Sequence, residues 1–334
     1  MDYNQPFNLD DTLSCGQVFR WEKRSSGWFG VAWGKALHVR QIKGGRILEY
    51  SGCNEQFLRD YFQLDLNLDR ILDSVNKDEH IGSAISEKYG LRLVSQNPWE
   101  CLITYSCAQN ANIPFISRML ANLSSVYGKP LVFDEDLISR ENPDTGSDAV
   151  AGAEVSSVPD DRMDGGHTCA DTASDTDVDT GAASDSGSVA GSSFSFFSYP
   201  SAKALSLSCA ADVSECSTGY RSANICDTAG RVTENPGWAD EIAELGYEQA
   251  RGKIMEFKGV GPKVADCILL FAFQKFESFP VDVWMRRIMS EFYDVGNPKA
   301  TLSAYEYDRI RRFAKDYFGD YAGYAQEYLF ANRG

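Results

Sequence analysis

Metal ligands are scarce in this 334-residue chain. Its three histidines, His38, His80 and His167, stand at unrelated spacings and build no credible metal cage. The nine cysteines form no Cys-x-x-Cys pair, and none follows Cys267, which argues against a four-cysteine zinc site or a C-terminal iron–sulfur cluster. No run of about 18 apolar residues occurs, so no membrane span is expected. The polar, acidic start, MDYNQPFNLDDTL, lacks the apolar stretch of a secretory signal. Reduced thiols and an intracellular location are therefore expected: cytoplasmic or nucleoid-associated in a prokaryote, nuclear in a eukaryote.

Acid is in excess, with a formal net charge of −16. Residues 134–192 carry fifteen acids against two bases, leaving the rest only mildly acidic, and partner choice follows local patches more than net charge. Within this stretch, 138–193 is rich in Asp, Ser, Thr, Ala and Gly and poor in large apolar residues. It cannot bury enough surface to offset chain entropy and reads as a disordered insertion.

Residues 16–51 read as an antiparallel meander. Runs at Val18–Trp21, Gly27–Val31, Leu37–Gln41 and Arg46–Tyr50 recur about every ten residues, separated by turn signals at Ser26-Gly27, Gly34-Lys35 and Gly44-Gly45. Helical patterns follow, with Asn54 capping 55–63, an apolar period at Leu68, Ile71, Leu72 and Val75, a helix opened by Asn97-Pro98, and another over Ile113–Tyr127. The fold class is α+β: an N-terminal antiparallel unit over 1–96, helical segments over 97–137, the insertion over 138–193, and helical domains over 194–334.

Gly259-Val260-Gly261 lies between helical segments at about 245–257 and 263–275. Two glycines that accept φ > 0 around a valine that plugs the core suit a tight helical hairpin, whose bared N–H groups fit a phosphate. The same three residues also suit a plain helix–helix turn. Lys263 follows directly. The positive helix end and burial would both lower its pKa, and a neutral lysine is the nucleophile a Schiff base needs; a surface lysine touching phosphate is the plainer alternative. Asp282, after the extended Phe279-Pro280-Val281, reads as a helix N-cap, a position that keeps a carboxylate available to stabilise an oxocarbenium-like centre. Arg286 and Arg287 would add positive charge nearby and bind DNA.

The run GVGPKVADC followed by PVDV resembles the helix-hairpin-helix DNA glycosylases, specifically the 8-oxoguanine DNA glycosylase/lyase branch. SCGQVFRW (14–21), YFQLDLNL (61–68), NPWECLITYSCAQNANI (97–113), YPSAKAL (199–205), TGYRSANI (218–225) and FGDYAGYAQEYLF (318–330) resemble the same family in the same order. The resemblance implies Lys263 as the Schiff-base lysine and Asp282 as the catalytic aspartate. It implies Gly16 as the carbonyl that accepts N7–H of the lesion, Gln326 as reader of the Watson–Crick edge, and Phe330 and Cys267 as the two faces around the base. Taken singly, Gly16 would be a turn and Cys267 a packing residue, while Phe330 suits ordinary core and a stacking ring equally.

It further implies Asn110 in the gap left by the flipped base, Tyr220 as wedge and Arg221 as cytosine reader, with Gly259, Val260 and Gly261 on the DNA backbone. Two positions depart from the family. Phe115 stands where a second cytosine-reading arginine is expected, with Arg118 nearby, and Trp284 replaces a phosphate-binding histidine. No redox or organic cofactor is required. A monovalent or divalent cation held by backbone carbonyls at Met255, Phe257 and Val260 is the one implied ion. The implied partner is damaged double-stranded DNA, bound by a monomer away from any membrane. The expected reaction is base excision through a lysine Schiff base followed by strand cleavage. The rivals are a monofunctional alkylbase glycosylase, which would need Asp282 but not Lys263, and a non-catalytic damaged-DNA-binding protein.

Overall fold

Residues 1–42, 45–132, 196–297 and 299–333 are described by a computed structural model. The acidic insertion expected to be disordered, 138–193, lies outside them. Strands β1 (Trp21–Arg24), β2 (Gly27–Ala32), β3 (Lys35–Ile42) and β4 (Ile47–Ser51) form an antiparallel sheet in sequence order. Register runs through Trp21 opposite Gly30, Trp28 opposite Val39 and Val39 opposite Tyr50. Alternation puts Leu37, Val39 and Leu48 inward, where they are fully buried with Leu58 and Phe62. The first strand starts at Trp21 rather than Val18. The Arg20 carbonyl still accepts from the Val31 N–H at 3.1 Å, but its side chain donates to the Phe197 carbonyl at 2.6 Å and lies over the Tyr199 ring, which ties this segment to the region after the insertion.

Short polar side chains set the helix starts. Asn8 caps α1 (Leu9–Ser14), Asn54 α2 (Glu55–Tyr61), Asn67 α3 (Leu68–Val75), Asp78 α4 (Glu79–Glu87), Asn97 α5 (Pro98–Cys107) and Asn112 α6 (Ile113–Tyr127), each accepting from a backbone N–H one turn on. Beyond a two-stranded pairing of Pro130–Leu131 with Phe196–Phe197 come α7 (Ala202–Ser206), α8 (Ala210–Val213), α9 (Ser222–Glu234), α10 (Trp238–Glu244), α11 (Tyr247–Ile254), α12 (Pro262–Phe273), α13 (Val283–Tyr293), α14 (Ala304–Phe318) and α15 (Ala322–Ala331). Three apolar cores result. One lies under the sheet; one joins α5 and α6 to α7–α9; the largest gathers α10–α15 and also takes in α3 and α4.

Helix α12 runs through that largest core, buried on nearly every side from Val264 to Ala272. The one charge within that buried run, Asp266, is fully buried and accepts from Tyr247 Oη at 2.6 Å, Arg251 Nε at 2.9 Å and Tyr307 Oη at 2.6 Å. This network locks α12 to α11 and α14, because breaking a buried, fully bonded pair strands the partner charge. At the other side, Gly323 lets α15 close on α12. A Cβ there would stand 2.3 Å from Leu270 Cδ1, 2.8 Å from the Ser278 carbonyl and 3.0 Å from the Phe276 carbonyl. Two of those neighbours are backbone and cannot swing away. Gly323→Ala is therefore expected to destabilise the protein by about 1–3 kcal/mol, read as a lowered Tm; an unchanged Tm would show that α15 has slack.

Candidate active site

The hairpin between α11 and α12 forms as its sequence predicts, with one correction. Gly259 alone takes positive φ, +81°; Gly261 has φ −93° and ψ 179° and is the N-cap of α12. Gly259 needs its missing Cβ for a second reason, since that atom would fall 2.3 Å from Asn224 Nδ2. Val260 is buried as the plug, and Gln109 Nε2 donates to the Gly259 carbonyl at 2.9 Å. No side chain caps α12, and space around Gly261 is open. Bare N–H groups at a positive helix end are what a phosphate requires. The Val260 N–H donates to the Phe257 carbonyl at 3.0 Å, so one of the three carbonyls implied for a cation already accepts a hydrogen bond.

In the first turn of α12, Lys263 lines a cavity of about 450 Å³ together with Gly16, Cys267, Asp282, Gln326 and Phe330. Residues from four separate stretches of chain thus meet in one space. The Lys263 ammonium lies 5.3 Å from the centroid of the Tyr105 ring. Its pKa is raised, not lowered as the helix end and burial alone predict. Burial does push it down most, but Cys267, Asp282 and Glu327 together outweigh it. The amine therefore rests as an ammonium and would have to lose a proton before it could act as a nucleophile. Burial drives the Cys267 thiol up to about 11 against the pull of Lys263, so at neutral pH it is a soft apolar wall.

Asp282 is the N-cap of α13, its Oδ1 accepting from Met285 N at 2.8 Å. Val281 is buried before it and its N–H donates to Tyr307 Oη, the residue that also holds Asp266. The same network thus places both Lys263 and Asp282. Gln326 is 5% exposed, and its Oε1 has no hydrogen-bond partner among the described residues. A buried acceptor left open at a cavity wall is worth about 1–3 kcal/mol to any ligand that donates to it. Gly16, at φ +106°, sits against Phe330: a Cβ there would be 3.6 Å from the ring. Arg333 lies over the Phe330 ring, 3.4 Å from its centroid.

A second group lies on the surface. Tyr220 is 62% exposed, and Asn110, in the left-handed region at φ +50°, donates from Nδ2 to its hydroxyl at 3.4 Å. Arg221 is buried and donates to the carbonyls of Gln109 and Thr218, bracing the loop that carries Asn110. Phe115 lies between two guanidiniums, 4.9 Å from Arg118 and 5.9 Å from Arg221.

Arg286 requires a correction. It is 8% exposed, pairs with Glu306 at 3.0 Å and donates to the carbonyls of Asn297 and Ala300, so its guanidinium is engaged inside the protein rather than presented at the surface. Arg287 is exposed, 5.0 Å from the centroid of Trp284. Sequence reasoning missed Glu327, 3% exposed, which lines the cavity with Oε1 unpartnered among the described residues. The one sign in the sequence was an acid inside the otherwise uncharged run AQEYLF. Among the described residues no three His, Cys, Asp or Glu side chains converge on a metal position.

Residues 2–102 match the family model described as the N-terminal domain of 8-oxoguanine DNA glycosylase. The chain is 26% identical to an N-glycosylase/DNA lyase of Saccharomyces cerevisiae, covering 97% of this chain and 82% of the yeast protein. It is 28% identical to a probable N-glycosylase/DNA lyase of Methanothermobacter thermautotrophicus, over 85% and 78% of the two chains. In fold it is similar to the apo crystal structure of Clostridium acetobutylicum 8-oxoguanine glycosylase/lyase, with a TM-score of 0.75, 24% identity and full coverage of both chains.

Proposed function

We infer that this chain, a member of the 8-oxoguanine DNA glycosylase/lyase family of helix-hairpin-helix proteins, excises 8-oxoguanine from duplex DNA and then cuts the strand at the resulting abasic site. The observation that carries this reading is the single cavity joining Lys263 and Asp282 to Gly16, Cys267, Gln326 and Phe330. The hairpin at Gly259–Gly261 presents the uncapped start of α12 to a backbone phosphate. Tyr220 wedges the stack, Asn110 fills the vacated place, and the damaged nucleotide turns out into the cavity, because C1′ cannot be attacked inside a duplex. Cys267 and Phe330 bracket the purine. The open Gln326 Oε1 accepts from its Watson–Crick N–H groups, and the Gly16 carbonyl accepts N7–H, a donor that undamaged guanine lacks. Lys263 attacks C1′ while the Asp282 carboxylate stabilises the positive sugar. The protonated Schiff base that results acidifies the neighbouring C2′–H, and β-elimination breaks the strand on the 3′ side.

We further propose that the enzyme acts as a monomer, inside the cell and off the membrane. No helix among the described residues is long and apolar enough to cross one. A monovalent or divalent cation at the carbonyls of Met255, Phe257 and Val260 would suit such hard oxygen donors and brace the hairpin under a phosphate; no organic cofactor is needed. The test is single-turnover excision from duplexes with 8-oxoguanine opposite each base, beside an undamaged control. Lesion-dependent release is expected; release of alkylated bases instead, or binding without release, would overturn the reading. With Phe115 in place of a second cytosine-reading arginine, discrimination among opposite bases is expected to be weak. Phe115→Arg should sharpen preference for cytosine by about 10- to 100-fold, the worth of one good base contact.

A further inference from the structure

We propose that Glu327 takes the ammonium proton of Lys263 before attack and returns it to the group that leaves C1′. This deepens the function proposed above and rests on it. The carboxyl is almost wholly buried, its Oε1 has no partner among the described residues, and it opens on the same cavity as the nucleophile. A buried, unsatisfied oxygen on the same cavity as an ammonium that must be deprotonated, and one of the charges that act on that ammonium, is a candidate acceptor.

Asp282 is the wrong acceptor. Its Oδ1 is held by the Met285 N–H at the head of α13, and protonating it would remove the charge that faces C1′. Cys267 is a thiol at neutral pH and accepts poorly. The groups that act on Glu327 come from every side: Cys15 beyond α1 by a hydrogen bond, Lys263 on α12, Asp282 at the start of α13, Arg333 after α15, and Tyr105 on α5, whose own titration feels Glu327. Burial dominates this balance and moves the carboxyl up to about 7, the range in which a general base works best at neutral pH.

The proton balance closes. Lys263–NH3⁺ and Glu327–COO⁻ become Lys263–NH2 and Glu327–COOH. On a damaged nucleotide, the nitrogen lone pair bonds to C1′ as the glycosidic pair leaves with the purine, and the proton on Glu327 neutralises that anion. On an abasic aldehyde, the same proton leaves with the hydroxyl of the carbinolamine as water.

The test uses the full chain and a duplex carrying an abasic site, trapped with cyanoborohydride from pH 5.5 to 8.5, so that base recognition plays no part. Wild type should trap faster as pH rises, with a midpoint near the titration of Glu327. Glu327→Gln should trap about 10²-fold or more slowly at pH 7, lose that midpoint, and recover toward high pH as Lys263 sheds its proton to water. Glu327→Asp should restore part of the limb. Wild-type trapping that is flat across this range overturns the proposal without any variant. So does Glu327→Gln with unchanged rate and midpoint. Absence of any wild-type adduct would instead sink the lyase reading beneath it.

Discussion

Lys263→Gln should abolish base release and strand cleavage together, by more than about 10⁴-fold, the scale on which removing a covalent nucleophile acts. Glutamine keeps most of the side-chain length and adds no charge, and α12 is anchored elsewhere, by Asp266 to Tyr247, Arg251 and Tyr307. Fold and binding to a lesion duplex should therefore survive. The raised pKa of Lys263 also means that the variant removes a positive charge from the cavity, so the burial-strained Glu327 should hold its proton more tightly. Loss of cleavage with base release intact would assign the glycosidic step to water and leave only Asp282 in charge of it.

Asp282 offers a cleaner separation of structure from chemistry. Asparagine and aspartate are about equally good N-caps, whereas alanine costs about 1 kcal/mol. Asp282→Asn should keep the bond to the Met285 N–H and leave Tm nearly unchanged, yet lower the excision rate by about 10²–10³-fold through loss of a preorganised charge at the sugar. Asp282→Ala should lose both. Equal Tm for Asn and Ala variants would mean that the cap contributes nothing to α13. Near-normal excision by the Asn variant would mean that charge at position 282 does not stabilise the transition state.

Much of this site was legible because its parts are local. Asparagine caps, the ten-residue beat of the meander and the glycine that must turn at position 259 each follow from backbone chemistry over a few residues. Asp282 as an N-cap was legible in the same way, and the cap is what aims its carboxylate. What failed to show were the pairings made across the fold. Arg286 looks like a free charge until Glu306 and two carbonyls twenty and fewer residues away are folded onto it. The direction of the Lys263 shift reversed because three acidic groups from α12, α13 and α15 gather around one amine. Glu327 gave one local sign, an acid inside AQEYLF, but only the folded cavity shows that its oxygen is buried and open. Gly16, Gln326 and Phe330 carried no local sign of their roles; the family resemblance singled them out, and one cavity brings them together.

The most direct measurement is to reduce the reaction on an 8-oxoguanine duplex with borohydride, digest the covalent complex and locate the nucleotide by mass spectrometry. A lesion-dependent adduct on the peptide containing Lys263, absent with undamaged DNA, is the predicted result. An adduct on another lysine or on the N-terminal amine, or released base with no adduct at all, would contradict it.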